Sequence, residues 1–174
     1  MTNTPRIKSA IGRVTRVLAD RPAAARAGGR TVARVAGSLT CEVTDGDWRL
    51  TVDQPDTLGG HNDGPDPGVF GRASLAACLA QGYTLWFAEA GVPLDGVVVT
   101  VDSEVDARGM FGVSDQTPAG YRGFSIRVEI DSPVDPARVS EITRLVEARS
   151  PWLYNMTQAI PTRITYTASQ TAAE

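Results

Sequence analysis

The 174-residue chain carries one lysine, Lys8, one histidine, His61, and two cysteines, Cys41 and Cys78. Each scarcity excludes something. No CxxC occurs, so neither a dithiol redox motif nor a zinc knuckle is encoded. His61 has no second His or Cys at ligand spacing, so no metal motif is present and no metal is expected. The formal net charge is −3, with both signs mixed along the chain. No basic patch invites nucleic acid, and no acidic tail invites a basic partner. No GK[ST] follows a glycine-rich turn, so there is no phosphate loop. No motif calls for a cofactor, and no Ser-His-Asp arrangement or internal repeat is visible. No apolar run reaches the roughly 18 residues of a membrane span. The opening "MTNTPRIKSAIGRVTRV" lacks the continuous apolar core of a signal peptide. The expectation is a soluble, cytoplasmic protein with reduced thiols.

What is present reads as an α+β chain. Residues 5–20 place Ile7, Ile11, Val14 and Leu18 at helical spacing, with Pro5 and Pro22 as punctuation. "AAARAGG" reads as a linker. "RTVARVAGSLTCEVT" alternates in part and is predicted as one strand. "DGD" at 45–47 marks a hairpin turn into the strand "WRLTVD". Residues 54–68, "QPDTLGGHNDGPDPG", form a loop by composition. A helix from about Val69 to Ala90 follows, with Asp66 as N-cap, Pro67 in its first turn and Gly91 as its stop.

That helix is apolar nearly all round. Val69, Phe70, Leu75, Leu79, Leu85, Trp86 and Phe87 share it with four alanines. Such a helix is buried on most sides, and so short a chain covers it only with a wrapped sheet or a second subunit. Downstream, "LDGVVVTVDSEVD" and "RGFSIRVEIDS" read as strands around a loop, and "DPARVSEITRLVEARS" as a helix. "SPWLYNMTQAI" is a short apolar turn or helix, and "TRITYTAS" a final strand. The predicted order is α-β-β-α-β-β-α-β, and the hairpin-like pairs point to antiparallel sheets.

Three pieces in this order resemble the OsmC/Ohr family of osmotically induced and organic-hydroperoxide-resistance proteins. They are the loop "GGHNDGPDPG" running into a long helix, "LAACL" within that helix, and "ARSPWLYNM" after the later one. The resemblance covers residues 30–168, leaving 1–29 as a helical extension with its linker and 169–174 as a tail. It implies an intertwined homodimer, with central helices back to back inside antiparallel sheets and the sites at the interface. It also implies reduction of organic hydroperoxides by a cysteine pair, aided by an arginine and a glutamate. Cys78 falls at the peroxidatic position. Ser150 stands where the resolving cysteine would be, and Gly68 where the glutamate would follow the proline. Asp66 and Asp63 are the nearby acids, with Asp66 taken as the substitute. Arg30 and Arg34 are the candidate arginines, with Arg34 preferred.

A helix interior offers Cys78 no charge within one turn, and burial alone raises a thiol pKa. Activation therefore has to come from another element or another chain. Three readings stand. The first is a thiol peroxidase that uses Cys78 and an external thiol reductant. The second is a non-catalytic relative binding a small apolar ligand at the dimer interface, with Trp152 and Tyr154 lining the pocket. The third is a purely structural dimer. Cys41 reads as a strand core residue. Asp45, Asp47, Asp53 and Asp56 read as solvated carboxylates.

Overall fold

Helix α2 (Pro67–Ala90) organises the molecule, and its ends are set by local chemistry. Asp66 accepts a hydrogen bond from the Val69 N–H at 3.0 Å, and Pro67 supplies a φ already suited to a first turn. At the other end Gly91 takes φ 68°. Its N–H donates to Ala88 O at 3.1 Å and that of Val92 to Phe87 O at 2.9 Å, the pattern of a Schellman cap. Both boundaries are as the sequence predicts.

The computed structural model describes residues 4–168. Before α2 come α1 (Thr4–Asp20), a 3-10 turn, and strands β1 (Thr31–Val35), β2 (Cys41–Asp45) and β3 (Trp48–Val52). After it come β4 (Gly96–Val105), the single turn α3 (Ala107–Met110), β5 (Tyr121–Asp131), α4 (Pro136–Arg149) and α5 (Pro151–Thr157). The architecture is α+β with two antiparallel sheets, β1-β2-β3 and β4-β5.

Leu75, Leu79, Tyr83 and Phe87 recur every fourth residue and so share one stripe of α2; all four are buried. They pack on Val97, Val99 and Val101 of β4, on Phe124, Ile126, Val128 and Ile130 of β5, and on Ile142 and Val146 of α4. In the β4–β5 register Val97 faces Ile130, Val99 faces Val128 and Val101 faces Ile126. The apolar set of both strands therefore falls on the face toward α2. Gly82 lets α4 come close, since a Cβ there would lie 3.1 Å from Val146 Cγ1. Burial, helped by the charge of Glu147, pushes the Tyr83 phenol up to about 12. The ring is thus neutral wherever the protein functions.

The other side of α2 stays open, with Ala73, Ala77, Gln81 and Thr84 exposed along it. Helix α1 packs on part of α2, where Ile7 lines a hollow together with Ala80, Thr84 and Leu85. The second half of the α1 stripe, Val14, Val17 and Leu18, is uncovered.

Two expectations are corrected. The single strand predicted over 30–44 is a hairpin: β1 and β2 pair antiparallel, with Val35 opposite Cys41. Gly37 at φ 73° lies in the connection, and "AGSL" is turn composition that outweighs the alternation on either side. The final strand predicted over "TRITYTAS" is absent through residue 168, and Ser169 lies outside the described residues. Ile164 and Tyr166 have the right period for a strand, yet they are 83% and 93% exposed. Alternation alone does not make a strand; a free sheet edge must be within reach.

Candidate functional site

Cys78 precedes Leu79 on α2, so its side chain sits beside the buried stripe and is half-buried. Its Sγ lies 3.6 Å from Ser150 Oγ. Ser150 is itself buried. It ends α4 and caps α5, its Oγ accepting from the Leu153 N–H at 3.3 Å. Pro151 starts α5 in the next position. The chain break that this proline enforces between α4 and α5 is what turns residue 150 toward α2. Residues 72 positions apart thus meet through local capping chemistry.

A groove of about 450 Å³ opens over this pair, lined by Cys78, Gln81, Trp86, Arg149, Ser150 and Trp152 among others. That volume suits a small molecule. The Arg149 guanidinium lies over the Trp86 ring, its carbon 5.0 Å from the centroid, within cation–π range. Arg149 was not singled out in the sequence, where a basic residue in a last helical turn reads as dipole compensation. Its position beside "SP", one residue from the cysteine's neighbour, is the signal that was available.

The other candidates divide between this groove and the rest of the structure. Trp152 lines the groove, but Tyr154 is not among its lining residues and is 60% exposed. Asp66 is occupied as the α2 cap. Twelve residues of helix place it about 18 Å along the axis from Cys78 at 1.5 Å per residue. Gly68 is closely surrounded: a Cβ there would lie 2.9 Å from Asp66 Oδ1 and 3.2 Å from the Tyr121 hydroxyl. Arg30 and Arg34 are exposed. Arg34 pairs with Glu42 across β1 and β2, on the polar face of that sheet. The apolar face carries Ala33, Cys41, Val43, Leu50 and Val52, which line a second hollow of about 380 Å³ with Phe70. Cys41 therefore belongs to a different surface from Cys78, and both are free thiols.

Asp53 corrects the expectation of a solvated carboxylate, since it is only 1% exposed. It accepts from the N–H groups of Gln54, His61 and Asp63 at 2.8, 3.0 and 3.1 Å, and from the Thr40 hydroxyl at 3.3 Å. Burial by itself would raise its pKa; the hydrogen bonds from Asp63, Gln54, His61 and Thr40 outweigh that and hold it below the ordinary value. Asp53, His61 and Asp63 also bring ligand-type atoms within 4.8 Å of one another. With four donors already on its oxygens, Asp53 is accounted for as the anchor of loop 53–66. No helix among the described residues is long and apolar enough to cross a membrane.

A free, half-buried thiol on a long helix that packs on an antiparallel hairpin and faces the start of a later helix characterises this α+β architecture. The comparisons agree. The family model described as "OsmC-like protein" matches residues 60–165, and the chain belongs to the OsmC-like family. Its fold is similar to that of an OsmC-like protein from Mycoplasma pneumoniae at 17% identity, covering 75% of this chain and 88% of that one, with a TM-score of 0.65. It is also similar to an organic hydroperoxide resistance protein OsmC from Legionella pneumophila at 20% identity, covering 76% and 90%, with a TM-score of 0.53. A third similar fold is an organic hydroperoxide resistance protein from Elizabethkingia anophelis, at 19% identity, covering 76% and 89%, with a TM-score of 0.52. No curated protein matches the sequence significantly.

Proposed function

We propose that the protein is a cytoplasmic, homodimeric thiol peroxidase that reduces organic hydroperoxides through Cys78 and is recycled by an external thiol. The observation that carries this reading is the Cys78–Ser150 contact of 3.6 Å in an open groove, within a family whose similar folds include organic hydroperoxide resistance proteins. In the reaction the Cys78 thiolate attacks one oxygen of the hydroperoxide. The O–O bond breaks, an alcohol leaves after taking a proton from solvent, and the sulfur becomes a sulfenic acid. Ser150 then offers a hydroxyl where a disulfide partner would be needed. One external thiol converts the sulfenic acid to a mixed disulfide with loss of water. A second releases Cys78 as thiol and leaves as a small disulfide.

The dimer is supported by two uncovered surfaces in one chain. One is the apolar face of β1-β2-β3, with Leu39 and Leu50 45% and 43% exposed. The other is the exposed Ala73–Ala77–Gln81–Thr84 stripe of α2, where the two alanines admit a close neighbour. No nucleic acid or membrane role is indicated.

The decisive test is hydroperoxide consumption with a small thiol as reductant. Cys78→Ser should abolish it, because a serine hydroxyl is far too weakly acidic to replace the thiolate; Cys41→Ser should retain most of it. Equal consumption by wild type and Cys78→Ser would refute the reading and leave Cys78 as the wall of an apolar ligand groove. A second arm is Ser150→Cys. Oxidation of that variant should remove two protons by mass as Cys78 and the new thiol join, and turnover should rise.

A further inference from the structure

Arg149 is the one cation lining the Cys78 groove. Among the described residues its side chain makes no ion pair and no hydrogen bond, whereas Arg138 at the start of α4 is paired with Glu141. Its only specific contact is the face of Trp86. A cation–π contact of this kind uses none of the five guanidinium N–H donors. A guanidinium with oriented free donors matches a planar carboxylate in two parallel hydrogen bonds. The contact with Trp86 restrains an otherwise exposed side chain, so less rotamer freedom is lost when an anion arrives. Arg149 also immediately precedes Ser150, whose Oγ touches Cys78 Sγ. Arg149 and Cys78 line the same groove, so an anion held by Arg149 shares that groove with the thiol.

We infer that Arg149, seated on Trp86, is a carboxylate-binding residue of the Cys78 groove, and that the external thiol which recycles Cys78 is a small thiol acid docked through its carboxylate. The second half of the inference rests on the peroxidase reading; the first half does not. With no second thiol at residue 150, the reductant has to be delivered to the sulfenic acid. A carboxylate anchored on Arg149 brings a thiol on a short spacer to the sulfur. Its sulfur bonds to Cys78 Sγ, the sulfenic oxygen departs as water with the thiol proton, and a second thiol then displaces the first as the disulfide.

The test uses the intact protein and two alkylating agents of the same chemistry, anionic iodoacetate and neutral iodoacetamide, with Cys78 modification followed by mass. In wild type the iodoacetate rate should saturate with concentration. Arg149→Gln should lower the ratio of the iodoacetate to the iodoacetamide rate by about tenfold, the scale of one charge-assisted hydrogen bond. Arg149→Lys should fall between the two. Arg144→Gln, which removes the same charge one turn earlier on an exposed part of α4, should leave the ratio unchanged. An Arg149→Gln ratio equal to wild type, an equal fall in Arg144→Gln, or a Cys78 inert to both agents would overturn the subsite. A parallel arm compares 3-mercaptopropionate with 2-mercaptoethanol as reductant. Wild type should favour the acid and Arg149→Gln should lose that preference; no preference in wild type would overturn the assignment of the reductant. If iodoacetate is selected but no hydroperoxide is consumed, the carboxylate site stands and the peroxidase reading falls.

Discussion

The helical body and the N-terminal sheet bury their apolar residues in different ways. In the body the stripe Leu75, Leu79, Tyr83 and Phe87 is covered on site by β4, β5 and α4, so the chain completes its own core. The β1-β2-β3 sheet is equally amphipathic: Ala33, Cys41, Val43, Leu50 and Val52 fall on one face by register, with Arg34, Glu42 and Thr51 on the other. Yet Val35, Trp48 and Leu50 remain 58%, 76% and 43% exposed, because no helix of the same chain packs over that face. Its rigidity comes instead from polar chemistry at its base, where Asp53 gathers three backbone N–H groups and Thr40. Gly60 and Gly64 lie so close to the backbone at Gln54 and Thr51 that a Cβ would sit 1.9 and 2.4 Å from their carbonyl oxygens. Identical alternation can therefore signal a finished core or a face that its own chain leaves uncovered.

The comparison breaks most readily in the body. Phe87→Ala should cost about 3–5 kcal/mol, the usual price of emptying a buried aromatic site, read as a lower urea midpoint at unchanged slope. The same measurement on Leu50→Ala, in the N-terminal sheet β1-β2-β3 (the arm), should show little loss for the isolated chain and more as protein concentration rises. A large, concentration-independent loss at Leu50 would mean that the arm is covered within one chain after all.

The arm is next. Val43→Asp puts a charge in the middle of its apolar face, and the proposed dimer should dissociate, with sedimentation at micromolar concentration giving a monomer mass while the α-helical circular dichroism persists. A dimer that survives this change would place the interface elsewhere, with the exposed stripe of α2 as the next surface to test.

The smallest effect is expected at the base of the arm. Because the Asp53 carboxyl is held below its ordinary pKa, the unfolded chain binds a proton at higher pH than the folded one. The stabilisation is complete above the unfolded value, about 3.9, and is lost as pH falls through the lower folded value. Asp53→Asn should therefore flatten the acid limb of the stability curve. It should also speed hydrogen exchange at the His61 and Asp63 amides near neutral pH while leaving exchange in α2 alone. Unchanged exchange at those two amides would show that the loop is held by its glycines rather than by the carboxylate.

Much of the body was legible because its signals are local. Asp66 and Asp135 each precede a proline in the first turn, and each accepts from the backbone N–H three residues on. Gly91 ends α2 because only a residue without a Cβ enters the left-handed region freely. The hairpin between β2 and β3 follows from Gly46 at φ 53°. Where the reading failed, the missing information was a partner. The alternation of Ile164 and Tyr166 could not say whether a sheet edge would be near. The acidity of "VDQPD" could not say that Asp53 would be drawn inward by three amides of a loop not yet folded around it.

The site divides in the same way. Cys78 on a helix of small residues, and Ser150 before Pro151, are facts of the chain, and so is the absence of a thiol to resolve the one with the other. That Sγ and Oγ lie 3.6 Å apart, and that Arg149 lies over Trp86 in the same groove, was decided by the packing of α4 and α5 on α2. Sequence spacing sets which residues share a face of one helix. Only the close approach of two helices, permitted here by Gly82 against Val146, sets which faces meet.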